Sequence, residues 1–325
     1  MTSAAVELDD FLSDASRRGG VEGVDSFGDP IAEYQALRES SGLVWRADQR
    51  AYRVGGDERV GFLQRLLTGN IERIAEGTSA ISLLLDNKGR TQLDMEIGAT
   101  PDELVVVGAA AQLDEGMAAL SRYILRSDVA ITPLDSAVLA LAGPESDELV
   151  RVSELGTLAT PPQVFRAVWG WLLIASAPVV VWQRLLAVGA VPVGLHAAEH
   201  ARIVGGQAAS GSEISGAEFP QELRLDAAID FEKGCYLGQE TVARIHYRGQ
   251  VNRLLCVLGC DDMVQAGDTL LAGGKEVGQV TSVSGAVGSS VVALALVARD
   301  CSEVGTALMT NLGIPVAVAE AIDGQ

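Results

Sequence analysis

After Gln250 the chain becomes a series of short apolar runs cut apart by glycines, and this pattern most narrows what it can fold into. Residues 251–258, 269–271, 276–283, 290–297, 307–310 and 316–319 each have strand length and are separated by turn residues. Evenly spaced short strands with glycine turns predict a small β-barrel. The change of pattern sets a domain boundary there and makes 251–325 a C-terminal barrel. Cys256 and Cys260 alternate with Leu254 and Leu258 on the first of these strands and read as core residues.

Upstream the pattern is mixed. Asp29-Pro30 opens a helix, with proline at the tolerated first position, running to about Ser40. Short strands follow at 43–46 and 51–54, then an amphipathic helix over 57–67 with Val60, Leu63, Leu66 and Leu67 on one face, stopped by Gly69-Asn70. Strands at 79–85, 91–97 and 104–108, a helix over 112–125 and a strand at 129–131 complete a first unit. A similar order restarts at Ala137: strand 138–141, helix 145–155, strands 165–169, 171–175 and 179–181, and helices at 182–188 and 197–203. This predicts an α+β fold, two subdomains of antiparallel sheet covered by helices, within one region, 29–250. Residues 1–28 are acidic and weakly periodic, and read as a mobile leader.

The chemistry concentrates in Lys233-Gly234-Cys235-Tyr236-Leu237-Gly238-Gln239-Glu240. The whole chain carries a net charge of -19. Between Lys233 and Arg253, however, Lys233, Arg244, Arg248 and Arg253 face only Glu240. Gly234 and Gly238 predict a tight turn, and Gln239 starts a short helix. Cys235 then precedes a helix N-terminus, where the helix dipole and Lys233 would favour its thiolate. Arg244 and Arg248, four apart, share a helix face suited to gripping carboxylates. The other reading of the same residues is a buried structural cysteine beside arginines that pair with surface acids.

With Ala243-Arg244 and Arg248-Gly249 behind it, the eight-residue motif resembles the signature of the YgfZ-type folate-binding proteins. These are related to the aminomethyltransferase (T-protein) of the glycine cleavage system. The likeness runs from about Phe27 to the C-terminus. It takes in Leu66-Leu67-Thr68-Gly69-Asn70, Gly89-Arg90 with Asp94, Phe219-Pro220-Gln221-Glu222 and Gly278-Gln279-Val280-Thr281-Ser282. It implies three lobes around a central opening that holds tetrahydrofolate or a folate derivative. Asp94 and Glu222 would be folate contacts, with Tyr236, Gln239 and Glu240 of the motif. Lys233, Arg244, Arg248, Arg253 and Arg122 would face the glutamate tail, and Cys235 would be the reactive group. From residue pattern alone an ordinary solvent-facing strand acid is the favoured reading of Asp94, Glu222 reads in the same way, and Arg122 and Arg126 read at least as well as surface pairs. The implied role is assembly or repair of iron–sulfur clusters in client enzymes, with those enzymes or assembly proteins as partners. The alternative is a folate-dependent aminomethyltransferase. One departure stands out: relatives often carry glutamate where this chain has Val204.

Acidity argues against nucleic acid as a partner, since phosphate contacts need a basic face. The longest uncharged run, 167–183, is broken by Gly170 and Pro178 and is short for a bilayer. With no signal-like N-terminus, the expectation is a cytoplasmic protein with no membrane partner. No CxxC pair or Cys/His cluster suggests a metal site. His196-Ala197-Ala198-Glu199-His200 spells an inverted zinc-peptidase pattern but has no third ligand in view, and reads better as surface histidines on a helix.

Overall fold

A computed structural model describes residues 23–285 and 291–321. In chain order, α1 (Pro30–Glu39) leads to β1 (Gly42–Trp45), β2 (Gln49–Gly55), α2 (Arg59–Leu66), β3 (Ser79–Leu85), β4 (Thr91–Ala99) and β5 (Leu104–Ala109). Then come α3 (Ala110–Ser121), β6 (Ala130–Pro133), β7 (Ala137–Ala142), α4 (Ser146–Ser153), β8 (Gln163–Ala167) and β9 (Gly170–Ala175). They are followed by α5 (Pro178–Ala187), β10 (Val191–Val193), α6 (Leu195–Val204) and α7 (Gln239–Arg248). The last stretch holds β11 (Arg253–Cys260), β12 (Thr269–Ala272), β13 (Lys275–Val283), β14 (Val291–Ala298), β15 (Ala307–Thr310) and β16 (Pro315–Ala319).

These strands make two five-stranded sheets and a closed six-stranded barrel, β11-β14-β13-β12-β15-β16. One sheet runs β3-β4-β5-β2-β6, the other β10-β1-β7-β9-β8. The chain therefore visits the second sheet with β1, builds the first with β2 to β6, and returns with β7. The two sheets pack face to face. Ala51, Val105 and Val107 from one meet Val138, Phe165, Leu172 and Ile174 from the other. Their alternate residues turn outward and are covered by helices: Val54, Met95, Ile97 and Val106 with α2 and α3, and Leu139, Leu141 and Leu173 with α4 and α5. Alternation with period two lets each strand serve both layers. The barrel buries Cys256, Leu258, Ala295 and Val297 inside, while Leu255, Val257, Leu294 and Leu296 on its outer face pack on Ile203 of α6 and on Ile214 and Leu223.

The α+β class and the barrel are as expected. α1 begins where the proline places it, with Asp29 Oδ1 accepting the Ile31 and Ala32 N–H groups at 3.1 Å. Three expectations fail. Residues 179–181 are not a strand but the first turns of α5, because Val181, Trp182 and Leu185 at helical spacing fill the core under the second sheet. The short strand β10 was not foreseen; it adds to β1 in parallel. Of the expected leader, residues 1–22 lie outside the described residues, and 23–28 are docked: the Leu195 and His196 N–H groups donate to Val24 and Asp25 carbonyls. The buried Glu33 carboxylate also collects the Ser26 hydroxyl and the Phe27 and Gly194 N–H groups.

Candidate functional site

The signature loop is built on the segment that ends α2. The Thr68 hydroxyl donates to the Ala228 carbonyl at 2.7 Å and accepts the Leu83 N–H. Asp230 gathers the Asn70 amide and the N–H groups of Glu232 and Lys233. Lys233 is buried, and its ammonium donates to the Leu67 and Gly69 carbonyls at 2.7 and 2.6 Å. Burial pulls its pKa down to about 8, against the charges of Asp230 and Glu72. This corrects the expectation that Lys233 faces an anionic tail: its ammonium is taken up by the Leu67 and Gly69 carbonyls just beyond α2. Tyr236 is also a core residue, buried among Leu83, Leu85, Ala228, Ile229 and Val242, and burial pushes its phenol up to about 12. Gly238 enters α7 with φ 78°, and a Cβ there would stand 2.4 Å from the Asp86 carbonyl. Cys235 is a free, exposed thiol in this loop, not a buried one.

The four cations do not converge. Arg253 pairs with Glu222 at 3.2 Å. Glu222 is itself sealed: it also accepts the Phe219 N–H and pairs with Arg90, whose guanidinium lies 3.7 Å over the Phe219 ring. Glu222 and Arg253 thus join the barrel's first strand to 219–222 rather than meet a ligand. Arg244 and Arg248 stand exposed on the outer face of α7, with no partner among the described residues. Gln239 and Glu240 occupy the first turn of that helix, Glu240 exposed. Arg122 and Arg126 are exposed at and beyond the end of α3.

Asp94 is different. It lies in the middle of β4 with Gln92 and Glu96, on the face turned from Leu93 and Met95. Its Oδ1 accepts the Ser210 N–H at 3.0 Å and the Ser210 hydroxyl. Its Oδ2 accepts no hydrogen bond among the described residues. Burial raises its pKa above the ordinary value, opposed by the Ser210 bonds and the charge of Arg202. Glu96, two residues on, shows the same design: burial raises its pKa, with Ser79 Oγ at 2.5 Å and Arg46 as the nearby positive charge. Two carboxyls on one strand face, each holding one serine, can accept N–H donors from a ligand.

The loop that brings Ser210 to Asp94 is anchored from behind. Glu213, only 1% exposed, accepts from Arg202 Nη1 at 2.8 Å, the Ala209 N–H, Thr281 Oγ1 and Ser282 Oγ. Arg202 also grips Glu199 and Ser282. Ser210, Arg202, Glu213, Glu96 and Ser79 went unnoticed in the sequence. The only signal was the polar composition of 205–216, which reads simply as loop. A groove of about 450 Å³ adjoins this loop, lined by α3, the β3–β4 turn and Leu237 of the signature. Two of its lining residues touch the loop: Gln112 abuts Gly211 and Gln92 abuts Gly216. Tyr123, next to Arg122 in the chain, also lines it.

The zinc-peptidase pattern is dismantled by the fold. His200 is buried, edge-on to Tyr34, with Ser284 Oγ 2.5 Å from Nδ1, and burial lowers its pKa. Glu199 is held by Arg202, and His196 is exposed. The expectation of two surface histidines thus holds for His196 alone. Among the described residues no three His, Cys, Asp or Glu side chains are grouped to hold a metal ion, and no helix is long and apolar enough to cross a membrane.

Residues 20–158 match the GCVT N-terminal domain. A chloroplastic protein of Arabidopsis thaliana with the provisional name of transferase is 27% identical over 96% of this chain and 78% of its own length. An aminomethyltransferase of Herpetosiphon aurantiacus is 28% identical over 78% of this chain and 77% of its own. One from Rubrobacter xylanophilus is 29% identical, over 77% and 74%. In fold the chain is similar to the glycine cleavage system aminomethyltransferase T of Bartonella henselae, with a TM-score of 0.79 over 91% of this chain and 90% of that one, at 21% identity. In sequence the chain is similar to aminomethyltransferases, and its fold is that of the aminomethyltransferase structure.

Proposed function

We propose that this chain binds a reduced folate, tetrahydrofolate or a close derivative, beside Asp94 and acts as an aminomethyltransferase-like one-carbon transferase. The observation that carries this is Asp94: a carboxyl set deep in β4, held from one side by Ser210 and left with Oδ2 free to accept. The aminomethyltransferases similar to this chain support the reaction class. Bound folate supplies the nitrogens that take up the one-carbon unit. Asp94 orients a ligand N–H and, with its pKa raised by burial, is poised to exchange a proton with it. Glu96 offers a second acceptor on the same face. The groove along α3 takes Gln92 and Leu93 of β4 into its lining but not Asp94, so the ligand would lie on the Asp94 face of the strand rather than along α3.

The test is to supply tetrahydrofolate and an aminomethyl-loaded lipoyl carrier and to follow methylenetetrahydrofolate. Wild-type protein should form it. Asp94→Asn should slow formation by about a hundredfold or more, the usual weight of a positioned acid–base group, while still binding the folate. Equal rates in the two proteins would remove Asp94 from the mechanism.

A second reading rests on Cys235. An exposed free thiol in the signature loop suits an accessory protein for iron–sulfur client enzymes, the role of the YgfZ-type proteins. It predicts that Cys235→Ala lowers client enzyme activity in cells and leaves one-carbon transfer intact. Unchanged client activity in that variant would exclude it.

A further inference from the structure

The outer face of α7 has no part in the Asp94 site. Glu240, Arg244, Tyr247 and Arg248 lie on one side of the helix, while Val242 points into the core. The chain holds 43 acids against 24 basic residues, yet neither Arg244 nor Arg248 has a carboxylate partner among the described residues. Tyr247 is 66% exposed, a large ring left in water. It is braced there: His246 stands edge-on to it, and His246 is stacked flat on Phe231 with centroids 3.7 Å apart. Ala243, Arg244, Tyr247 and Arg248 together form a shallow concavity of about 330 Å³.

We propose that this face docks an acidic segment of a partner protein. Tyrosine and arginine are the residues that dominate protein–protein contacts, because each brings contact area and directional donors at modest entropic cost. Arginines four apart on a helix are separated by about 6 Å along its axis. Carboxylates two residues apart on an extended strand lie about 6.6 Å apart and match that spacing. Two free guanidiniums are too few to hold a nucleic-acid backbone on a chain of net charge -19. The exposed Cys235 sits in the loop that leads into α7, so one loop–helix unit presents both the thiol and the cationic face.

The test uses full-length protein and a fluorescein-labelled peptide with glutamate at every second position, beside its lysine counterpart. Wild-type protein should bind the acidic peptide and not the basic one, with affinity falling as salt is raised toward about 0.15 M. Arg244→Glu/Arg248→Glu should weaken binding by about tenfold or more, and Tyr247→Ala by about threefold. Three results would overturn the proposal. The first is no binding to the acidic peptide, or equal binding by the double variant. The second is full affinity in Tyr247→Ala, which leaves only diffuse charge attraction. The third is a loss of affinity for pentaglutamyl tetrahydrofolate in the double variant, which makes the arginines a ligand-tail site. Folate binding that fails in wild-type protein would strike the Asp94 reading and leave this one standing.

Discussion

At Asp94 the chain puts a carboxyl where water is scarce and hands it a serine instead of a cation. Desolvation favours the neutral acid, so its folded pKa lies above the ordinary 3.8. The consequence for stability has a definite sign. The folded state binds the proton more tightly than the unfolded chain, so this group costs nothing below pH 4 or so, and stability is lost as pH rises through the raised pKa. Asp94→Asn keeps an acceptor for Ser210 and removes the titration. Relative to wild type, the variant should gain stability as pH rises above the ordinary carboxyl value of 3.8, read from urea midpoints at successive pH values. A constant difference would mean that the carboxyl does not titrate in this environment. The sequence showed Asp94 as a polar residue on an alternating strand. It did not show Ser210, which lies 116 positions later and meets it only through the fold.

At the level of elements, the signature loop and the end of α2 form one device. α2 stops at Leu66 before the Gly69-Asn70 punctuation, and the Leu67 and Gly69 carbonyls of the cap and turn that follow need donors. Lys233 supplies them from 166 residues away. Lys233→Met keeps the aliphatic stem but strands the Leu67 and Gly69 carbonyls. It should destabilise the protein by about 2–4 kcal/mol, measured by urea unfolding. A loss below roughly half a kcal/mol would mean water replaces the ammonium with ease. The same reasoning separates the legible from the illegible here. Glycine at 238 announced a turn correctly, since only glycine accepts that φ so close to the Asp86 carbonyl. The expectation that Lys233 faces an anion failed because a lone lysine in a motif looks the same whether its target is a ligand or a helix end. The run 179–181 failed for a related reason: valine favours strands, but a helix that buries Val181, Trp182 and Leu185 outweighs that preference.

Across the whole molecule, Glu213 ties its own loop and the neighbouring helix α6 to the barrel, 68 and 69 residues further on. It ties Arg202 of α6, the loop carrying Ser210, and Thr281 and Ser282 of the barrel into one buried knot. Every group that reaches it is a donor. Glu213→Gln would turn an amide against those donors and leave Arg202 short of an anion. About 3 kcal/mol of stability should be lost, and folate affinity should fall with it, because the loop that orients Asp94 loses its anchor. Titration calorimetry and thermal unfolding on one preparation would check both; intact affinity with lost stability would uncouple the barrel from the site.

Most of the elements, the α+β class, the glycine-cut barrel and the place of the signature turn were set by local pattern: alternation, helical spacing, and the backbone angles only glycine tolerates. Which groups meet was not. Lys233 and Glu222 went to structural partners, Arg244 and Arg248 to the surface, and Asp94 to a serine no motif marks. A side chain's neighbours depend on how sheets, helices and barrel close on one another, and that closure is decided by burying apolar faces rather than by the polar residues that then find themselves together.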